Sequence, residues 1–211
     1  DATAQQAAAA LAAGRIVARF EGGSEYGPRA LGHRSILADP TFARMRDVLN
    51  LRVKHRESYR PFAPVVPESR AEEVFSLSVK SPFMLLVAPI RAQLHERIPA
   101  VTHCDGTGRV QTVTAADNPF FHDVIEALVA RRGGEPVLLN TSFNVAGEPI
   151  VETPADALRT FLSCDIDHLA MEGYWISKAA ANERTYEDHV AGLPDAELPR
   201  GSDDDLSLIH I

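Results

Sequence analysis

The 211-residue chain is poor in sulfur and in tryptophan, with two Cys, three Met and one Trp. Cys104 and Cys164 form no CxxC pair and stand at no metal-ligand spacing, which excludes a disulfide scaffold and a cysteine-based zinc site. They read as small buried thiols in a reducing cytoplasm. No apolar run is long enough to cross a membrane. The apolar stretch from Ala7 to Ala13 has no basic segment before it, so it does not read as a signal peptide. The chain starts at Asp1 without a Met, which fits a fragment or a processed protein. There is no Walker A sequence, no GxGxxG, no nucleophile elbow and no internal repeat. Any catalysis must then rest on positioning and on stabilisation of charge, as in phosphoryl and nucleotidyl transfer.

What is present is a sizeable apolar fraction and an uneven charge. Apolar residues make up 45% of the chain, enough for a core without disulfides or metal. The length fits one domain with a tail. The net charge of −8 argues against a nucleic-acid or membrane-surface binder. Yet from Arg29 to Arg60 eight cations face three acids, leaving that stretch at +5 and the rest of the chain at −13. A basic island in an acidic protein points to a small anionic ligand, or to a solvated cationic helix face.

Helical and extended patterns alternate along the chain, which predicts an α/β fold with a mixed sheet. Residues 3–13 read as an alanine-rich helix capped by Thr3 and ended by Gly14, followed by a β-prone run over 15–20. Residues 21–28 are a glycine-rich loop, and 35–38 a strand. Asp39-Pro-Thr41 opens a helix expected to reach about Lys54. Pro64 inside the run 61–66 predicts an edge or irregular strand. Residues 68–75 predict a short helix, and the apolar run 83–89 a buried strand. A short strand is expected over 109–113, an amphipathic helix over 118–132, and a buried strand over 136–139. Thr153-Pro-Ala-Asp156 opens another helix, and 169–176 is the last strand. From Glu183 on, two arginines face eight acids, so 1–182 is taken as the domain and 183–211 as an acidic flexible tail.

Four segments carry candidate chemistry. In Tyr26-Gly-Pro-Arg-Ala-Leu-Gly-His-Arg-Ser35, glycines flank Arg29, which can hold a phosphate or carboxylate or tie two loops together. In Lys54-His-Arg-Glu-Ser-Tyr-Arg60-Pro-Phe-Ala-Pro64, Lys54 offers a compact charge and Arg60 a planar fork. Together they can clamp a phosphate, although Lys54 can equally serve the end of its helix. Thr102-His-Cys-Asp-Gly-Thr-Gly-Arg-Val-Gln111 ends in Arg109 at a strand start. The consecutive His103, Cys104 and Asp105 do not make a tetrahedral metal site, and no metal is assigned. In Leu139-Asn-Thr-Ser-Phe-Asn-Val-Ala-Gly-Glu-Pro149, a buried strand empties into Asn140, Thr141 and Ser142, placed to bond phosphate or ribose oxygens.

These motifs, in this order over about residues 8–178, resemble the C-terminal domain of the O-carbamoyltransferases of antibiotic and nodulation-factor biosynthesis. The resemblance implies a YrdC-like fold, a twisted mixed β-sheet flanked by helices. It implies binding of carbamoyl phosphate and ATP, with Mg²⁺ on the nucleotide, and formation of a carbamoyl-adenylate. A preceding sugar-kinase-like domain, absent from this sequence, would hold a metal and move the carbamoyl group to a hydroxyl acceptor. Carried over by position, Lys54, Arg60 and Arg109 are the catalytic cations. Arg29, Asn140 and Ser142 are substrate contacts. The alternatives are a non-catalytic nucleotide- or phosphate-binding module and a threonylcarbamoyl-adenylate synthase of transfer-RNA modification. Nucleic acid and membrane are not expected partners, and a cytoplasmic protein is.

Overall fold

The structure is a computed structural model and describes residues 2–178 and 184–194. Strands β1 (Val17–Phe20), β2 (Arg34–Ala38), β3 (Ala63–Pro67), β4 (Leu86–Pro89), β5 (Thr107–Val113), β6 (Leu138–Ser142), β7 (His168–Met171) and β8 (Tyr174–Ser177) form one sheet. The order is β4-β5-β3-β6-β2-β1-β7-β8. The β1–β7 and β3–β5 pairs are parallel and the rest antiparallel, so the sheet is mixed, as expected.

Helices cover both faces. On one, α1 (Ala2–Ala12) and α4 (Pro119–Arg132) bury Leu11, Phe121, Val124 and Ile125 against Val17, Leu37, Val65 and Leu138. On the other, α2 (Met45–Val48), a single π turn at Leu49–Val53, α3 (Ala71–Val74) and α5 (Pro154–Ser163) pack Met45, Leu49, Val53, Val74 and Phe161 onto Ile36, Val66, Leu139 and Leu169. Each fully buried aliphatic side chain contributes on the order of 2 kcal/mol. Local signals hold where they are strong. Asn118 accepts from the Phe121 N–H to start α4 ahead of Pro119, and Thr153 and Asp156 form a capping box on α5.

Several expectations are corrected. The helix after Asp39 begins only at Met45 and finishes as a π turn. Helix α1 already includes Thr3, so Thr3 is not its cap. β3 is an interior strand despite Pro64. Its register partners in β6 run over 63–65 and those in β5 over 65–67, so each proline lies beside only one ladder. The apolar run 83–89 is the sheet edge, with Phe83, Leu85 and Val87 exposed. The run 169–176 is a hairpin turned at Glu172-Gly173, both at positive φ.

Nor does the expected tail begin at 183. Thr185 caps a short helix α6 (Tyr186–Val190), Tyr186 packs on Phe42, and His189 is fully buried against Asp167. The Asp167 carboxylate also accepts the Ile16 N–H, which fastens this segment to the sheet. Residues 195–211 lie outside the described residues. Cys164 is buried as expected, whereas Cys104 is exposed. Among the described residues no helix is long and apolar enough to cross a membrane.

Candidate functional site

The strands bring the four motifs to one rim of the sheet. The carboxyl ends of β1 and β6 and the amino ends of β2, β3 and β5 all point there, because β1–β2, β2–β6 and β6–β3 are antiparallel and β3–β5 is parallel. Strand alternation and register put Arg19, Ser35, Asn140, Ser142, Gln111 and Arg109 on the same face, the one α1 and α4 cover farther from the rim. Thr141 points to the opposite face, register-paired with Ile36, so it does not join Asn140 and Ser142.

The loop carrying Arg29 is laid over this floor by named bonds. Asn140 Nδ2 donates to the Ala30 carbonyl (3.0 Å) and to Gln111 Oε1 (2.8 Å), while Gln111 Nε2 donates to the Leu31 carbonyl (2.9 Å). The Glu25 carboxylate accepts from the Leu31 and His33 N–H groups, each at 2.7 Å. The Arg34 guanidinium stacks on Phe20 and donates to the Glu21 and Gly22 carbonyls. Gly32 has φ +134°, and a Cβ there would stand 2.1 Å from Asn118 Nδ2, so only glycine lets the loop pass.

Arg29 and Arg109 then meet without an acid between them. Neither forms a hydrogen bond or ion pair among the described residues, and Arg109 Nε is buried. Burial first, and then the Arg29 charge, lowers the Arg109 guanidinium below its ordinary value. Two buried oxygens of the floor also lack partners: Asn140 Oδ1 and Ser35 Oγ. Both Asn140 donor bonds come from Nδ2, which fixes the amide and leaves Oδ1 as an unanswered acceptor.

Lys54 is engaged differently. Its ammonium, 4% exposed as a residue, reaches the Ser142 carbonyl (2.8 Å), Ser142 Oγ (3.3 Å), the Asn144 carbonyl (2.9 Å) and Asn144 Oδ1 (2.7 Å). Burial, and then the Arg56 charge, lowers it to about 7. Lys54 thus braces the turn after β6. Arg60 is half exposed and pairs with Glu57 at 2.8 Å. Its loop is held by the fully buried Asn50, whose Nδ2 donates to the Ser58 and Arg60 carbonyls.

Sequence reasoning missed Arg56, Gln111 and Ser35. Arg56 donates to Asn50 Oδ1 (2.7 Å), stacks on Phe62, and is lowered to about 10 by burial first and then by Arg60. Period-two counting from Arg109 marks Gln111, and counting back from Leu37 marks Ser35. Arg56 had no sequence signal beyond membership of the basic island. At the far end of the floor Arg19 stacks on Phe120, and the charges of Glu21, Glu172 and Glu25 oppose the effect of its burial. Among the described residues no three His, Cys, Asp or Glu side chains gather as a metal cage.

Comparison with known proteins sets this geometry in a family. Residues 8–178 match the family described as Carbamoyltransferase C-terminus. The nodulation protein NolNO of Sinorhizobium fredii is 46% identical over 92% of this chain. The 3'-hydroxymethylcephem-O-carbamoyltransferase of Amycolatopsis lactamdurans is 42% identical over 81%. The matched region spans only 29% and 32% of those two proteins. The crystal structure of P. abyssi Sua5 complexed with L-threonine superposes with a TM-score of 0.57 at 18% identity, over 81% of this chain and 46% of that one. That likeness concerns the fold, which is the YrdC-like mixed sheet expected from the motifs.

Proposed function

The chain belongs to the carbamoyltransferase C-terminal family, and we propose that its rim cleft binds carbamoyl phosphate and ATP and joins them into a carbamoyl-adenylate. One observation carries this reading: two arginines without acid partners stand over a floor whose buried Asn140 Oδ1 is an unanswered acceptor. Carbamoyl phosphate matches both halves, with phosphate oxygens for Arg29 and Arg109 and an amide N–H for Asn140. Arg56 and Arg60 add charge from the neighbouring loop, and Lys54 keeps the turn at Ser142 and Asn144 in place.

In the reaction, water releases inorganic phosphate from bound carbamoyl phosphate and leaves carbamate. A carbamate oxygen attacks the α-phosphorus of ATP, the bond from that phosphorus to the bridging oxygen breaks, and pyrophosphate departs. The arginines stabilise the charge that builds on the phosphates, the main source of rate in such a site. Magnesium carried on the nucleotide's own oxygens supplies further charge to the pyrophosphate. ATP as co-substrate puts the reaction in the cytoplasm. The adenylate needs shielding from water, and a further domain in the longer relatives is the natural recipient that passes the carbamoyl group to a hydroxyl acceptor.

The test is pyrophosphate release by this chain with ATP and carbamoyl phosphate. We expect release that requires carbamoyl phosphate and none with bicarbonate and threonine in its place. Release with bicarbonate and threonine alone would replace the reading with threonylcarbamoyl-adenylate synthesis. ATP binding without turnover under either condition would reduce the site to a sensing module.

A further inference from the structure

We propose that a small cavity at the far end of the floor from Arg109 is a second binding site, suited to a free α-amino acid. The cavity encloses about 150 Å³ and is lined by Thr3, Arg19, Glu21, Phe120, Ala170 and Gly173. Arg109 lies on β5 and Arg19 on β1, with β3, β6 and β2 between them. At standard strand spacing that is about 19 Å. The cavity is therefore separate from the site assigned to carbamoyl phosphate, and its ligand does not depend on that assignment.

Two opposite charges border this cavity, and neither is paired. Arg19 Nε and Nη1 are buried without partners, and the guanidinium makes no hydrogen bond or ion pair among the described residues. Burial lowers it to about 10, which keeps it charged at neutral pH. The charges of Glu21, Glu172 and Glu25 reach it. Glu172 accepts from the Gly22 N–H (2.9 Å), and Glu25 from the Leu31 and His33 N–H groups. The Glu21 carboxylate has no hydrogen bond or ion pair among the described residues. Arg19 does not close on it. The guanidinium lies over the Phe120 ring instead, 3.6 Å from the centroid. A cation and an anion left unpaired in one cavity are complementary to a ligand that carries both signs. An α-amino acid has its carboxylate and ammonium on one carbon. The carboxylate answers the Arg19 N–H groups, and the ammonium donates to Glu21. Phe120 stands in the first turn of α4, whose positive end favours the same carboxylate. A void near 150 Å³ holds a molecule of about six heavy atoms, which is the size of alanine.

Amide-resolved NMR titration of this chain with L-alanine, acetate and methylammonium tests the site. We expect L-alanine to shift the Phe120 and Gly173 amides saturably, with a Kd on the order of 1 mM. Acetate and methylammonium each carry one of the two charges and should bind at least about tenfold more weakly. Arg19→Met keeps an apolar stem beside Phe120 and should weaken alanine binding about tenfold. Glu21→Gln changes a partly exposed side chain at constant size, so that variant keeps its fold. It should weaken alanine about tenfold and leave acetate binding no weaker. No saturable shift of those amides up to about 100 mM alanine overturns the site. Acetate that binds as tightly as alanine overturns the amino-acid assignment, as does an alanine affinity unchanged by Glu21→Gln.

Discussion

Two cations of this rim, the buried Lys54 and the partly buried Arg109, are treated in opposite ways. Lys54 is surrounded by four oxygens of the Ser142–Asn144 turn. Arg109 has none, and its nearest charged influence is another arginine. Leaving a charge buried without partners is costly, several kcal/mol in general, so a fold retains one only where something else compensates. A saturated cation is part of the structure. An unsaturated one beside unanswered acceptors still has its donors free for an anion.

The comparison breaks first at Lys54. In Lys54→Met the Ser142 and Asn144 carbonyls lose their common donor, and we expect a loss of about 2–3 kcal/mol in urea unfolding, with loss of pyrophosphate release as the turn moves. The pH dependence carries the same signature. Because burial lowers Lys54 from 10.5 to about 7, the unfolded chain holds a proton there that the folded chain has given up. Stability should therefore rise with pH from about 7 to about 10.5, and that slope should be missing in the variant. A flat profile in the unaltered chain would show that the four oxygens keep the ammonium charged.

Arg109→Met should do the reverse. It removes a charge that has no partner, so unfolding stability should be unchanged or slightly higher. Carbamoyl-phosphate affinity, measured by calorimetry, should fall about a hundredfold, close to 2.7 kcal/mol. Equal loss of stability in both variants would erase the distinction between brace and binding group. The smallest effect belongs to Arg60→Ala. Its half-exposed pair with Glu57 should change unfolding stability by less than about 0.5 kcal/mol, so any fall in pyrophosphate release reports on the ligand alone.

Much of the fold was legible where a local rule acted without competition. The cap at Thr153 and the amphipathic pattern over 118–132 depend on near neighbours only, and both stand in the structure. Sequence failed where distant partners decided. Pro64 signalled an edge, yet β3 lies inside because its two neighbours pair with different halves of it. The apolar run 83–89 signalled burial, yet its flank lies open at the edge beside Arg109. The acidic composition after Glu183 hid Tyr186 and His189, whose partners Phe42 and Asp167 are far away in the chain.

The same division runs through the site. By itself the sequence determined that cations cluster here, because a +5 island and glycine-flanked arginines are properties of composition and local order. It also determined the family, through four motifs in fixed succession. Only the tertiary structure decided what each group is free to do. It spent the Lys54 ammonium on the turn after β6, turned Thr141 to the other face, and left Arg29, Arg109 and Asn140 Oδ1 unanswered. The physical reason is that availability is set by which hydrogen bonds are already made, and those partners lie on strands and loops up to 110 residues away.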